Sequence, residues 1–136
     1  MSGISAEPLS VADHEAAVGS ARAGAVVSFA GVVREHDGGH NVTELEYVAH
    51  PTAAQVLADV AARVAADEPA VLALAMSHRV GLLRVGDVAL VATVAAEHRR
   101  EAFAACARLV DEVKSQLPVW KRQVFTDGTD EWVNCP

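Results

Sequence analysis

The chain has 136 residues, 51% of them hydrophobic, and carries 18 acidic against 11 basic side chains for a formal net charge of -7. That length builds one real core and is too short for two ordinary domains, so a single domain over residues 1–136 is expected. The negative balance argues against broad contact with nucleic-acid phosphates or an anionic membrane surface, because both need a positive field. Residues 1–30 show no basic start followed by an apolar run, and VALVATVAA, the longest apolar stretch, falls far short of the roughly 18 residues needed to span a bilayer. A cytoplasmic protein is the expectation. Cys106 and Cys135 form no CxxC, so neither a disulfide framework nor a zinc site is indicated, and Cys106 is expected in the core.

In chain order, Ser10 with Asp13 three residues later opens a short helix. Gly24 to Val33, GAVVSFAGVV, reads as a buried strand. REHDGGHN supplies turn chemistry, and VTELEYV then reads as a second strand that completes a hairpin with a long polar tip. Pro51 suits a first helical turn, and TAAQVLADVAARVAADE follows with Val56, Val60 and Val64 at helical spacing. VLALAMSHRV and GDVALVATVAAEH are further strands, separated by Gly81 and the turn-like Val85-Gly86-Asp87. HRREAFAACARLVDEVKSQL is a helix of about twenty residues that Pro118 stops. In VWKRQVF, Val119, Lys121, Gln123 and Phe125 share one face, and TDGTDEW closes with a turn and a buried tryptophan. Together these elements predict an α+β domain with a largely antiparallel sheet and helices packed on it.

Three places contradict their surroundings, and such conflicts tend to mark functional sites. His98-Arg99-Arg100 stands at the positive end of a helix dipole, where cations are disfavoured. Free N–H groups, two guanidinium groups and an imidazole would hold a phosphate there; the alternative is pairing with Glu97, Glu101 or nearby acids. Arg34 directly follows an apolar strand and is either a ligand contact or a solvated strand end. His36 and His40 lie in the same loop without a third strong ligand, so metal binding is not expected. Last, the chain has nine arginines and only two lysines, Lys114 and Lys121. Lys114 falls at the edge of the helix's apolar stripe with Phe103, Ala107 and Val110, while Lys121 shares a strand face with Val119 and Phe125. Structural readings exist for each, as a snorkelling helix-end lysine and as an edge-strand lysine.

Lysine matters chemically because its ammonium can lose a proton when desolvated, whereas arginine stays charged. Two lysines near two arginines and a histidine would suit an anionic substrate whose reaction needs proton transfer and charge stabilisation.

These same residues carry a family resemblance. GAVVSFAGVVRE, the paired SHRVG and EHRREAF segments, and KSQLPVWKRQVFTDGTDEWV resemble the catalytic large subunit of molybdopterin synthase, in order from about Gly24 to Val133. The resemblance implies an α/β-hammerhead fold and a homodimer of large subunits within a heterotetramer. It further implies that each large subunit receives the C-terminal Gly-Gly thiocarboxylate of a small ubiquitin-like sulfur carrier and passes sulfur to cyclic pyranopterin monophosphate, forming the molybdopterin dithiolene of molybdenum cofactor biosynthesis. Under it Lys114 and Lys121 are catalytic, Arg34, His98 and Arg99 contact substrate, and Phe29 is an aromatic position near the pocket. The dimer brings side chains of one subunit to the other's site. No cofactor or metal is required, since the sulfur comes from the carrier.

The sequence departs from the family pattern at Gln123, where an acid is common after Trp120-Lys121-Arg122. It also ends at Pro136, soon after the Trp132-Val133 match, where longer members have more chain to set against the carrier. Two rival readings stand beside the synthase: a non-catalytic binding subunit for a ubiquitin-like partner or phosphorylated metabolite, to which Gln123 leans, and a Schiff-base enzyme acting on a phosphorylated carbonyl compound.

Overall fold

The computed structural model describes residues 2–37 and 39–134, so Cys135 and Pro136 lie outside the described residues. The strands are β1 (Ser2–Ser5), β2 (Ala25–Val32), β3 (His36–Asp37), β4 (His40–Ala49), β5 (Val71–Arg79), β6 (Gly81–Arg84), β7 (Val88–Ala96), β8 (Val119–Phe125) and β9 (Asp130–Asn134). The helices are α1 (Val11–Ala17), α2 (Ala53–Asp67) and α3 (Arg99–Gln116). This is the mixed α+β architecture expected.

The strands form two sheets. One runs β1-β5-β7-β2, with only β1 and β5 parallel. The other runs β3-β4-β8-β9, with β6 also paired to β4. The apolar run VALVATVAA becomes β7, the interior strand between β5 and β2, and all its residues from Ala89 to Ala96 are buried. Continuous hydrophobicity follows from covering both faces. On one side Ala95 joins Val18 and Ala75 in a small cluster beneath α1, whose Ser10 side chain accepts from the Asp13 N–H as the sequence predicts. On the other side Leu90, Ala92 and Val94 join the main core with Leu57, Val60 and Val64 of α2 and Ala105, Leu109 and Val113 of α3. Small residues at Ala92, Ala102 and Ala105 let α3 lie close against this sheet. Arg108 ties α3 to the end of α2 through Asp67 at 2.8 Å and Glu68 at 3.1 Å.

Four local expectations are corrected. The segments Gly24–Val33 and 42–48 do not form a hairpin with one another. Strand β2 gives its ladder to β7, and β4 gives its two edges to β8 and β6. A register shift at Gly31/Val32 takes the chain out of the first sheet, and Val33 is fixed by backbone bonds to Gly86 and Asp87. What remains of the hairpin is the two-residue pairing of β3 with β4. Strand β2 is also not buried: its residues alternate between half-buried and exposed, because it is the edge of its sheet. Finally, Trp132 is 56% exposed. It pairs with Arg122, so it shares the outer face of β8, whereas Glu131 and Val133 share the inner face with Gln123 and Lys121. Pro51 falls in the turn before α2 rather than in its first turn.

Gly24 tests the packing at the β2 entrance, because a Cβ there would collide with the Glu97 carbonyl oxygen. Gly24→Ala is expected to destabilise the fold by about 1–3 kcal/mol, seen as a lower urea midpoint. Gly3→Ala, whose Cβ would meet nothing within 4 Å, is expected to stay within about 0.5 kcal/mol.

Candidate active site

Lys114 and Lys121 meet in one cavity of ≈ 340 Å³ at the seam between the two sheets. Lys114 stands in the last turn of α3, where the dipole favours a cation, and Pro118 and Leu117 turn the chain so that β8 returns Lys121 to the same place. Arg34 enters from the end of β2. Its position follows from Val33, which is held to the β6–β7 turn at Gly86, a residue with φ of 93°. Three of the six residues expected in the site therefore converge.

Three further side chains line the cavity without having been anticipated as contributors. Asp37, from β3, pairs with Arg34 at 3.6 Å. Gln123 is 2% exposed, and its amide nitrogen donates both to Asp37 and, at 3.1 Å, to Glu131. That hydrogen bond, and then the charges of Lys121 and Arg34, hold the Asp37 carboxyl below the usual carboxylate range against the opposing effect of burial. Tyr47, the chain's single tyrosine, faces Lys121 across β4 and β8. Nothing in the sequence marks Asp37, which sits in ordinary turn chemistry, and Gln123 was visible there only as a missing acid.

Behind Tyr47 lies His78, 1% exposed, with its ring edge-on to the tyrosine at 4.8 Å and its Nδ1–H donating to the Arg79 carbonyl at 2.7 Å. A carbonyl can only accept, so Nδ1 carries the proton. Burial pushes this imidazole down to about 4; the carbonyl bond opposes the shift and the Lys114 charge adds to it. A neutral ring therefore supports the wall of a cationic pocket.

His98, Arg99 and Phe29 do not reach this cavity. His98 is the N-cap of α3 and Arg99 its first residue, some fifteen residues before Lys114, or about 22 Å along the helix. They line a separate surface concavity with Arg100 and Phe103. Glu97, one of the suggested partners, instead binds Arg22 at 2.7 Å, and among the described residues neither Arg99 nor Arg100 forms an ion pair. Phe29 lines a third, apolar cleft with Phe103, Cys106 and Val110. Its ring abuts Gly31, which does line the lysine cavity. The Cys106 thiol is buried, as expected. His36 stays largely exposed, and His40 packs on Phe125 at 5.1 Å.

Residues 4–116 match the family model described as MoaE protein. The chain belongs to the MoaE family. Its relatives include the molybdopterin synthase catalytic subunit of Nostoc sp., 37% identical over 96% of this chain and 80% of the relative. The molybdopterin synthase catalytic subunit 1 of Mycobacterium tuberculosis is 38% identical over 93% of this chain and 86% of its own. Among solved structures, molybdopterin synthase from Staphylococcus aureus superposes with a TM-score of 0.89 at 30% identity, covering 96% of this chain and 95% of that one. A chain from the complex of subunits 1 and 2 of molybdopterin-converting factor from Helicobacter pylori shares the fold, with a TM-score of 0.74 at 17% identity over 98% and 88% of the two chains. The MoaE fold thus supplies the seam in which the two lysines meet. No helix among the described residues is long and apolar enough to cross a membrane.

The buried His78 makes stability depend on pH. Between about 6.5 and about 4 the unfolded chain binds a proton that the folded chain does not, so stability falls as pH drops through that window; the full shift corresponds to about 3 kcal/mol. Urea unfolding of wild type and His78→Asn across this range is expected to show that part of the slope in the wild type only. Equal slopes would contradict it.

Proposed function

We propose that this chain is the catalytic subunit of a molybdopterin synthase, acting in the cytoplasm. It takes sulfur from the C-terminal Gly-Gly thiocarboxylate of a small ubiquitin-like carrier and passes it to cyclic pyranopterin monophosphate. The observation that carries this reading is the meeting of the chain's two lysines in one cavity with Arg34, in a chain whose relatives bear that enzyme's name.

The chemistry follows from the charges. A thiocarboxylate tail is anionic; its sulfur bonds to the substrate, and water then adds to the acyl carbon and cleaves the carbon–sulfur bond, leaving a carboxylate on the carrier, so that negative charge develops on the acyl oxygen and on the departing sulfur. Two ammonium groups set in one cavity, Lys121 half-buried and Lys114 at its exposed side, are placed to stabilise that charge. Lysine also gives and takes protons at the pterin side chain. Arg34 offers a two-pronged grip for an anionic group of the substrate.

His98 and Arg99 enter this scheme through a second copy of the chain. They are exposed, and among the described residues neither forms an ion pair, and no path within one protomer brings them some 22 Å to the lysines. The free edge of β2, with Phe29 and the 62% exposed Phe103 of α3 beside it, gives an apolar surface for a homodimer. In that dimer, itself the centre of a heterotetramer with two carriers, His98 and Arg99 of one protomer hold the phosphate of the substrate at its partner's lysines. Phe29 lies on this surface and contributes to the wall between the two halves.

The non-catalytic alternative rested on Gln123 standing in place of an acid. Asp37 provides a carboxylate at that point of the cavity, which removes the ground for it.

The test is single-turnover formation of molybdopterin with thiocarboxylated carrier. The wild type is expected to give product, and Lys114→Ala and Lys121→Ala, with wild-type melting behaviour, to lose at least about 10²-fold in rate. Folded variants that turn over like wild type would overturn the assignment. A stable carrier complex that yields no product would favour a binding subunit.

A further inference from the structure

The lysine cavity contains a coupled acid and amide that the lysines alone do not explain. Asp37 and Gln123 come from different strands, β3 and β8, and touch through the Gln123 amide nitrogen. The same nitrogen donates to Glu131 of β9. Its two hydrogens are thus directed at two carboxylates, and a residue at 123 must be a donor. A glutamate in that position would face both acids across hydrogen-bonding distance and repel them. The amide instead neutralises nothing and donates twice, leaving Asp37 ionised and fixed in place. The other Asp37 oxygen faces Arg34 at 3.6 Å, and Lys121 acts on the carboxylate through its charge.

We propose that Asp37 is a positioning residue of this site: the Gln123 amide fixes its carboxylate, and that carboxylate aims the Arg34 guanidinium and the Lys121 ammonium into the cavity. The inference rests on the synthase reading and assigns the site its resident anion. Without that anion, two lysines and an arginine line one small cavity as three like charges, and the half-buried Lys121 loses the carboxylate whose charge is coupled to it. With it, the site keeps a net positive charge for an anionic substrate while Lys121 and Arg34 are held on the carboxylate's side. The charged and titratable groups around Lys121 are Tyr47 on β4, Lys114 on α3, Arg34 after β2, Asp37 on β3 and Glu131 on β9 behind Gln123, with neutral His78 behind Tyr47. Of these, Asp37 is the anion whose charge is coupled to both Lys121 and Arg34.

The exchange of charge between positions 37 and 123 tests this. Single-turnover rates with thiocarboxylated carrier and cyclic pyranopterin monophosphate are measured from about pH 6 to about pH 10 for wild type, Asp37→Asn, Gln123→Glu and the double variant, with thermal midpoints alongside. Asp37→Asn is expected to keep the fold and lose about tenfold in rate, with the alkaline limb of its profile moved to lower pH, because an ammonium without a neighbouring anion gives up its proton more readily. Gln123→Glu alone is expected to lose as much. The double variant returns an acid to the cavity and a donor amide to face it, with the Glu131 carboxylate still opposed to position 123, and is expected to recover part of the rate and of the alkaline limb. An Asp37→Asn protein with wild-type rate and profile overturns the proposal. So does a uniform loss with an unmoved alkaline limb and no recovery in the double variant, which would make the pair merely structural. Absence of product from the wild type overturns the synthase reading and this inference with it.

Discussion

The packing of α3 on β7 and β2 is the constraint on which the rest of the structure depends. Ala102, Ala105, Cys106, Leu109 and Val113 lie buried along one side of the helix, and β7 answers with Leu90, Ala92 and Val94. Side chains this small leave little freedom in how the two elements approach, since a close-packed interface tolerates neither a gap nor an extra methylene. The helix is therefore a rigid bar of 18 residues. Its C-terminal turn brings Lys114 to the seam of the two sheets. Its N-terminus presents His98, Arg99 and Arg100 at the far side of the molecule.

That rigidity sorts the charges. The chain is acidic overall, yet five of its eleven basic side chains stand at the two ends of α3, Arg34, Lys114 and Lys121 at one and Arg99 and Arg100 at the other. At the seam they come with an acid, Asp37, whose placement depends on the second sheet and on a glutamine two residues beyond Lys121. At the N-terminus, among the described residues, Arg99 and Arg100 form no ion pair and stand on an already positive helix end. The seam end thus carries its own carboxylate and still keeps a net positive charge, and the other end presents exposed cations. On the function proposed above, the phosphate and thiocarboxylate halves of the site stand too far apart in one protomer to serve one substrate, and the proposed homodimer brings them together.

Much of this was legible in the sequence, and the reasons are specific. Helical periodicity and Pro118 gave α3 to within a residue or two, and the alternation of VWKRQVF gave β8 with its lysine on the inner face. The rarity of lysine and the cations at a helix start marked both ends of α3. What the sequence did not reveal depends on pairing between distant strands. The supposed hairpin failed because turn chemistry at Asp37 is equally compatible with a chain that changes sheets, and only the bulge at Gly31 and the bonds of Val33 decide which occurs. Trp132 was misplaced for a related reason: an edge strand's inward face is set by its partner's register, not by its own composition. Asp37 was invisible because its partner lies 86 positions away in sequence, while Gln123 looked like a deficiency until that partner was seen.

Of the proposed features, an active site that draws on two copies of α3 is the most directly testable. Dimers carrying Lys114→Ala in one protomer and Arg99→Ala in the other, co-expressed with different tags and purified on both, separate it from any single-protomer site. Each parent homodimer has both sites broken. In the mixed dimer a shared site leaves one intact and one doubly damaged, so molybdopterin formation with thiocarboxylated carrier is predicted to recover to about half the wild-type rate. Mixed dimers no more active than the parents would contradict the account and place Arg99 outside the reaction or within its own protomer's chemistry.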